Sequence, residues 1–443
     1  MKAVKAGWLI CAYNDIRQDC GFVMENGRIR EILPNAEIDG LTDRGVFAAA
    51  DVLDRRESIV FPGFVNAHMH QYGVLSHGIP QAGDVQDFET FLSNYWWPYI
   101  ENRIRREQVL VTTEYTAAEM LRSGITAFCD ILEAPFTEDD TLIAQGELLE
   151  RIGMRAVVSL ESSERISPEN GARCLEQNAH AVDYFSARGG SVRGAICTHT
   201  TFTCSDEFIR QAAELARERR ALLQFHLSES RYEPDRLRRE RGLTPSALYE
   251  RLGALGPDTI ASQCVKITEE ERELLRGTGT RTVHMPVSNC EVGGGIAPVP
   301  AMLRAEMEVG LGTDGYINDF FAVMREAFLI HKANEESTEV MPARDVFRMA
   351  TEFGAGAMGL KDCGRLLPGF QADFAVCGDA FPTPLTAENL LDQLVVHGKS
   401  QYVTDVSVGG RLLLEAGTLT GLDETGIHAR MRACAGDFWQ GVR

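Results

Sequence analysis

The sequence lacks any apolar run long enough to cross a membrane. No uninterrupted hydrophobic stretch approaches the roughly 18 residues that a transmembrane helix needs. The apolar run near the N-terminus is short and is broken by Asn14 and Asp15, so it has no signal-peptide core. The eleven cysteines include no Cys-x-x-Cys pair, and their scatter through predicted strands and helices is typical of a reducing compartment. We therefore expect a cytoplasmic protein.

Basic residues are also scarce. The chain has 44 Lys and Arg residues against 64 Asp and Glu residues, which gives a formal net charge of -20. A surface this acidic repels nucleic acid and anionic membranes, so neither is expected as a partner. It suits a neutral or cationic small molecule, although such charge also serves solubility alone. We expect a small-molecule substrate and a homodimer or higher homo-oligomer.

A third absence concerns phosphate-binding turns. No Gly-x-Gly-x-x-Gly turn follows a first strand, which weighs against a doubly wound open sheet, the alternative fold. The three glycines at 293–295 lack the Gly-Lys-Ser/Thr ending of a phosphate loop. We interpret them as a flexible loop over the site.

From about residue 59, buried apolar segments alternate with helical patterns. Counted from Phe61, eight strands alternate with helices, which predicts a parallel (β/α)8 TIM-type barrel over residues 60–362. The first sixty residues show short strands, an Asn26-Gly27 hairpin turn and no helix period. Short strands return after the barrel. We therefore predict a small β-sandwich domain built from residues 1–59 and 363–443.

Potential metal ligands stand where the predicted barrel strands end. Strand one ends in His68-Met69-His70, strand five in His226 and strand eight in Asp314. Alternate residues of an extended segment face the same way, so both imidazoles of the first pair point to one place. In a barrel the ends of the strands meet at one face. Three imidazoles and a carboxylate suit zinc or a similar divalent ion.

Glu229 follows His226 by three residues. That spacing leaves its carboxylate near the metal without making it a ligand, where it can move protons between metal-bound water and a substrate ring nitrogen. In isolation such an acid is more often a solvated loop residue. Its position beside His226 favours the catalytic role.

Several segments together resemble the amidohydrolase superfamily, and within it the ATZ/TRZ and cytosine-deaminase-like branch. They are residues 61–70 (Phe-Pro-Gly-Phe-Val-Asn-Ala-His-Met-His), 226–229 (His-Leu-Ser-Glu), 287–289 (Val-Ser-Asn) and 310–315 (Gly-Leu-Gly-Thr-Asp-Gly). Residues 364–373 are similar to the family's G-x-L-x-P-G-x-x-A-D segment. The Trp96-Trp97 pair and residues 312–316, ending in Tyr316, further resemble the SsnA-type aminohydrolases. The resemblance covers nearly the whole chain.

The resemblance implies a role for each matching residue. His68, His70, His226 and Asp314 would bind one zinc ion per chain, or iron as in some relatives. Asp314 would also take a proton from the bound water, and Glu229 would protonate the ring nitrogen of the substrate. His199 resembles a family histidine that faces the substrate. No lysine ends strand four, which argues against a carbamate-bridged dinuclear site.

One departure from the family pattern concerns catalysis. The family usually ends strand six with His-Cys-Val-His, whereas this chain reads Gln263-Cys264-Val265-Lys266. Gln263 can donate or accept a hydrogen bond but cannot carry a proton or a charge near neutral pH. Either the chemistry depends on Glu229 and Asp314, or the substrate differs from the usual aminated heterocycles, or activity is lost.

The remaining histidines near predicted strand ends are candidates for binding substrate. His77 stands where relatives often have arginine, and Gln71 follows the ligand His70. His284 ends strand seven, where it is either a substrate contact or a hydrogen-bonded histidine beneath the site. Four others are expected to be structural: His180, His331, His397 and His428.

These observations predict a zinc-dependent amidohydrolase that acts on carbon–nitrogen bonds other than peptide bonds. The leading reaction is hydrolytic deamination of an aminated nitrogen heterocycle of the purine, pterin or triazine type, by zinc-bound hydroxide. A hydrolase that attacks another leaving group or a ring amide is the alternative that Gln263 favours. A noncatalytic relative that only binds its ligand is a third.

Overall fold

The computed structural model describes residues 1–79, 84–315, 317–378 and 380–440. The chain begins with strands of a mixed sheet: β1 (Lys2–Ala12), β2 (Asp15–Gln18), β3 (Cys20–Glu25), β4 (Arg28–Pro34) and β5 (Val52–Pro62). Asn26 and Gly27 join β3 to β4 with φ of 51° and 77°. Positive φ at both central residues is what a tight two-residue hairpin requires, so the predicted turn is confirmed.

One element of this first segment was not expected. Helix α1 (Asn35–Asp43) lies between β4 and β5, whereas the sequence shows no helix period there. It buries only Asn35 and Ile38 and contains Gly40, so it has almost no apolar stripe from which it could be recognised. The expectation that the first sixty residues contain only strands and turns is therefore wrong.

The barrel follows directly. Its parallel strands are β6 (Phe64–Met69), β7 (Ile125–Leu132), β8 (Arg155–Leu160), β9 (Val192–Gly194), β10 (Ile196–Cys197), β11 (Leu223–Leu227), β12 (Thr259–Gln263), β13 (Arg281–His284) and β14 (Val309–Leu311). β9 and β10 are the two halves of one barrel strand, interrupted at Ala195. The count is therefore the eight strands that the sequence predicts.

The barrel closes between its last strand and its first. The backbone N–H groups of Thr313 and Asp314 both donate to the carbonyl oxygen of His68 at 3.1 Å, and Met69 pairs with Asp314 in a parallel bridge. This seam places the residue after β14 beside the end of β6. The predicted (β/α)8 fold is confirmed, and its closure brings two of the predicted ligands together.

The last strands return to the N-terminal sheet. They are β15 (Phe374–Gly378), β16 (Val403–Val408), β17 (Arg411–Glu415) and β18 (Thr418–Leu419). β15 pairs antiparallel with β5, so the nine strands from both chain ends form one sheet in the order β18-β17-β16-β15-β5-β1-β3-β4, with β2 paired to β1. β5 itself runs from this sheet to Pro62, one residue before the barrel begins at Gly63-Phe64.

Helices cover the outside of the barrel and extend its loops. In chain order they are α2 (Phe88–Phe91), α3 (Trp97–Tyr99), α4 (Arg106–Arg122), α5 (Thr141–Ile152), α6 (Pro168–Arg188), α7 (Asp206–Arg219), α8 (Tyr232–Arg241), α9 (Pro245–Arg251), α10 (Glu269–Thr278), α11 (Pro286–Glu291), α12 (Val299–Arg304), α13 (Phe320–Glu335), α14 (Ala343–Ala350), α15 (Glu352–Ala357), α16 (Leu390–Asp392) and α17 (Glu424–Trp439). Over the described residues, none of these helices combines the length and apolar character needed to span a membrane.

The final helix lies on the barrel. α17 packs along α4, to which it is joined by ion pairs from Arg122 to Glu424 and from Arg430 to Glu114. These residues belong to the segment predicted as β-sandwich, but their contacts are with a barrel helix. The domain limits at residues 59 and 363 therefore stay a proposal, drawn around a sheet that both chain ends share.

Candidate active site

The four predicted metal ligands converge at one end of the barrel. The ring centroid of His68 lies 5.0 Å from that of His70 and 5.1 Å from that of His226, and ligating atoms of the three histidines lie within 4.8 Å of one another. Asp314 Oδ2 is 3.8 Å from His68 Nε2, and its Oδ1 is 3.6 Å from His70 Nε2. The site therefore collects ligands from the ends of β6, β11 and β14, as the strand-end rule predicts.

The histidines are prepared to receive a cation. Both ring nitrogens of His68 and Nδ1 of His226 are buried and have no hydrogen-bond partner among the described residues. Burial, reinforced by neighbouring imidazoles, holds the pKa of His68 and that of His226 well below the usual value, so both rings are neutral. His70 Nδ1 lies 2.8 Å from the carbonyl oxygen of Ile131, a contact that leaves Nε2 free to ligate. Neutral imidazoles and one carboxylate fit a zinc ion.

Backbone conformation at the strand ends is unusual. Ser228, Gln263, Cys264 and Asp314 all have φ between 50° and 73°, although none is glycine. A left-handed conformation costs such residues free energy, and it persists only where surrounding contacts impose it. All four follow or end barrel strands β11, β12 and β14. The strain is therefore concentrated where the chain turns its side chains toward the metal site.

A cavity of about 1060 Å³ opens over these ligands. Glu229 lines it, together with His70, His226 and Asp314. Burial, followed by the charge of Asp314, raises the pKa of Glu229 well above its usual value. A raised pKa favours the protonated form of Glu229, which is the form that can donate a proton to a bound molecule.

Gln263 touches a predicted ligand directly. Its Nε2 donates to Asp314 Oδ2 at 2.6 Å, while its buried Oε1 has no hydrogen-bond partner among the described residues. Gln263 also lines the cavity. The Nε2 group of Gln263 thus orients the carboxylate of Asp314. Its Oε1 atom can accept a hydrogen bond from a substrate N–H group.

His199 lies on the cavity wall, as the resemblance implied. Its Nδ1 is 3.0 Å from Thr203 Oγ1, and its ring lies 5.3 Å from that of His226. Burial lowers the pKa of His199, with Glu161 opposing the change. The neutral ring therefore presents Nε2 beside the metal site.

Two glutamates next to His199 were not predicted as site residues from the sequence. Glu133 directly follows β7 and Glu161 directly follows β8, and both are buried. Burial and then Glu161 raise the pKa of Glu133 well above its usual value. Although burial opposes it, interactions with His199 and with the Arg165 guanidinium hold the pKa of Glu161 below its usual value. The same strand-end rule that located the histidines would have found both.

A buried ion pair supports this group. Arg165 donates to Glu101 Oε2 at 2.6 Å and stacks over the ring of Trp97, whose centroid is 4.8 Å away. Trp97 in turn contacts the ring of His199, and Trp96 lines the cavity. The tryptophan pair singled out in the sequence is therefore part of the site. Tyr316, from the same resemblance, lies outside the described residues.

The other three residues predicted to contact the substrate are His77, Gln71 and His284, and only the first of them lines the cavity. His77 is exposed and lines the cavity, which keeps it a candidate. Gln71 requires a correction. Its Nε2 donates to Thr116, and its Oε1 accepts from Gln145 at 3.0 Å, because the residue after His70 points away from the strand-end centre. Both ends of the buried Gln71 amide are therefore hydrogen-bonded within the protein, and Gln71 does not line the cavity.

His284 requires a second correction. Its Nε2 lies 3.1 Å from Nε2 of His331, both rings are buried, and neither is among the residues that line the cavity. Of the two alternatives left by the sequence, the structure therefore places a hydrogen-bonded histidine beneath the site. His331 has its expected structural role as the partner.

Comparison with known proteins assigns the fold and site to a family. The model of the amidohydrolase family matches residues 59–413. A curated 5'-deoxyadenosine deaminase of Methanothermobacter thermautotrophicus is 31% identical over 400 residues, covering 88% of this chain and 90% of that protein. The chain therefore belongs to the amidohydrolase family, and the prediction of a hydrolase acting on carbon–nitrogen bonds is confirmed.

Two further relatives indicate which branch of the family this chain resembles. A 5-methylthioadenosine/S-adenosylhomocysteine deaminase of Carboxydothermus hydrogenoformans is 30% identical over 378 residues, covering 84% of each chain. A solved adenosine deaminase of Xanthomonas campestris with bound zinc superposes with a TM-score of 0.88 at 25% identity, covering 98% of each chain. The relatives thus carry names of deaminases that act on adenosine-type molecules.

The ligand geometry predicts one divalent ion per chain. Zinc-loaded protein is expected to hold one ion, and His226→Ala is expected to lose it because three ligands remain where four are needed. Elemental analysis after removal of loosely bound metal measures this. The control is His180→Ala, which removes an exposed histidine of α6 and should keep full occupancy. Two tightly bound ions per chain, or none after zinc addition, would contradict the site.

Proposed function

We propose that the chain hydrolytically deaminates an aminated nitrogen heterocycle, with an adenosine-type purine as the leading substrate class. The observation that carries this proposal is that Glu229, whose pKa is raised by burial, lines the same cavity as the ligand carboxylate of Asp314. Deamination needs a proton donor for the ring nitrogen and an acceptor for the proton of water. The names of the relatives support the purine class.

The proton transfers follow from these two groups. Water adds to the ring carbon that carries the amino group, and its proton passes to Asp314. Glu229 delivers its proton to the adjacent ring nitrogen, which removes charge from the ring as the carbon becomes tetrahedral. The proton held by Asp314 then passes to the amino group, which leaves as ammonia, while the remaining hydroxyl proton returns to Glu229 as the oxo group forms. The products balance as the oxo heterocycle and ammonia.

The metal and the remaining residues have separate tasks. When bound by His68, His70, His226 and Asp314, zinc supplies the Lewis acidity that makes water nucleophilic near neutral pH. Gln263 orients Asp314 through its 2.6 Å hydrogen bond and leaves Oε1 for the substrate. The remaining candidate contacts on the wall are His199 and His77. The ring of Trp96 lines the pocket and suits a flat heterocycle, and Trp97 packs behind it against Arg165 and His199.

Gln263 also supports a second candidate function. A histidine at this position normally contacts the attacking oxygen and the substrate in the resembled family, and an amide cannot carry its charge. The same site could therefore hydrolyse a ring amide or expel another leaving group. Release of carboxylate instead of ammonia separates this candidate from a deaminase. A noncatalytic binder is the remaining alternative, and the complete ligand set with Glu229 argues against it.

The proposal also includes a cellular compartment and an oligomeric state. We propose a cytoplasmic enzyme that works as a homodimer or higher homo-oligomer on a small molecule. The free cysteines support the cytoplasmic compartment, and the acidic surface supports a small-molecule substrate. The oligomeric state stays a prediction.

A substrate screen tests the proposed function. Zinc-loaded protein should release ammonia from an adenosine-type purine in a panel that also holds pterins, triazines and hydantoins. Glu229→Gln should keep fold and metal but lose about 10²-fold or more in turnover, the usual scale for a general acid. Ultraviolet change and ammonia release are the readouts. Near wild-type turnover by the variant would remove Glu229 from the mechanism, and ring-opened carboxylate products would favour the second candidate.

Replacement of Gln263 tests its assignment. Gln263→His is expected to lower turnover on the native substrate while zinc content stays unchanged. Histidine changes the donor geometry next to Asp314 and breaks a pairing for which the site is built. Kinetics and metal content of both proteins are measured in parallel. If Gln263→His instead creates or strongly raises deaminase activity, the glutamine marks a lost or diverted deaminase, and its fit to a native substrate is refuted.

A further inference from the structure

One wall of the cavity is cationic although the chain is strongly acidic. Arg231, Arg236, Arg239 and Lys266 all line the cavity, in a protein of formal net charge -20. Arg236 is held by an ion pair with Glu240 at 2.9 Å. The other three form no ion pair with any residue in the described part of the chain. Their charges are therefore available to a ligand.

Two of these cations lie directly beyond the reaction centre. Arg231 follows Glu229 by two residues and Lys266 follows Gln263 by three. The N–H group of Lys266 donates to the carbonyl oxygen of Ser228 at 2.9 Å, which ties the two loops together. Burial, followed by the charge of Arg231, lowers the pKa of Lys266. The two side chains thus repel each other, and an anion between them would relieve that repulsion.

The glycine-rich loop belongs to the same wall. A Cβ atom on Gly295 would lie 2.3 Å from Lys266 Nζ, and one on Gly294 would lie 2.4 Å from the carbonyl oxygen of Glu229. Gly295 also has a φ of 114°, which disfavours any side chain there. The loop interpreted from sequence as lying over the site therefore packs directly against the ammonium group.

Carboxylates of the cavity do not neutralise this wall. Eight Asp and Glu residues line the cavity, among them Glu229, Asp235 and Glu291, but within the described ranges none of them forms an ion pair with Arg231, Arg239 or Lys266. A guanidinium fork beside an ammonium group is suited to a phosphate or carboxylate.

We propose that Arg231 and Lys266, with Arg239 on the helix that follows, form a subsite for the anionic group of the substrate. The amino-bearing ring lies at the metal site, and a phosphate or carboxylate at the far end of the molecule lies between the two cations. This subsite rests on the proposed function because it assumes that a substrate ring occupies the strand-end centre. It specifies the class of substrate as an anionic heterocycle.

Matched substrates test the subsite. Adenosine, adenosine 5'-monophosphate and adenosine 5'-carboxylate share one ring and differ in the terminal group. Wild-type kcat/KM should be about tenfold or more higher for one of the anionic forms than for adenosine, and the preferred form distinguishes phosphate from carboxylate. Arg231→Gln and Lys266→Gln should each lower that value about tenfold, the scale of a lost charge-assisted hydrogen bond, and leave adenosine nearly unchanged.

Arg238→Gln is the matched control. Arg238 is an exposed arginine of α8 that does not line the cavity, so its loss should change none of the three values. Lys266→Arg should keep the anion preference because it keeps the charge. Equal kcat/KM for charged and neutral substrates in the wild type, or equal losses for all three substrates in the variants, would overturn the subsite.

Equilibrium binding separates failure of the subsite from failure of the proposed function. If no substrate of the panel is deaminated, binding of adenosine 5'-monophosphate, inorganic phosphate and acetate to zinc-loaded protein is measured by calorimetry. At least one anion should bind, with affinity reduced about tenfold by Arg231→Gln or Lys266→Gln but not by Arg238→Gln. Affinity that is absent, or unchanged in both variants, would overturn the subsite, because any anion would then be held by the metal alone.

Discussion

The rest of the structure depends on one constraint, which is that three buried imidazoles and one partly buried carboxylate must share the same small space. The nitrogens of His68 and His226 that lack partners would be costly in an interior without a cation. The barrel meets this constraint through its closure, since the hydrogen bonds of Thr313 and Asp314 to His68 fix β14 against β6. Left-handed residues at the strand ends then turn the side chains inward.

Acidic and basic side chains occupy different regions of the cavity. Glu229 lines the cavity with Asp314 and has a raised pKa, while beside His199 the pKa of Glu133 is raised and that of Glu161 is lowered. Acidic groups thus surround the place where the heterocycle reacts, and unpaired cations lie beyond it on the loops after β11 and β12. Such a gradient of charge across one cavity orients a substrate before any chemistry occurs. It also explains how a chain with a large negative charge can accept an anion.

The sequence predicted the parts of the molecule that repeat or that carry rare residue types. Eight alternating strands and helices gave the barrel, and histidines at strand ends gave His68, His70 and His226. Glu133 and Glu161 also stand at strand ends but were not predicted. Glutamate is common on protein surfaces, so a single glutamate after a strand does not distinguish a site residue from a solvated one. Gln71 was misplaced because adjacency to His70 was given more weight than the alternation of side chains. α1 was missed because two buried residues leave no periodic signal.

Anomalous diffraction at the zinc edge, from crystals of the zinc-loaded protein, tests the central claim most directly. Among the described residues, two buried groups could hold an ion: His68 with His70 and His226, and Glu133 with His199 and His226. The account predicts a single peak enclosed by the first group and Asp314, with nitrogen and oxygen ligands at about 2.0–2.2 Å. A peak at Glu133 and His199, or no peak near His68, would contradict it.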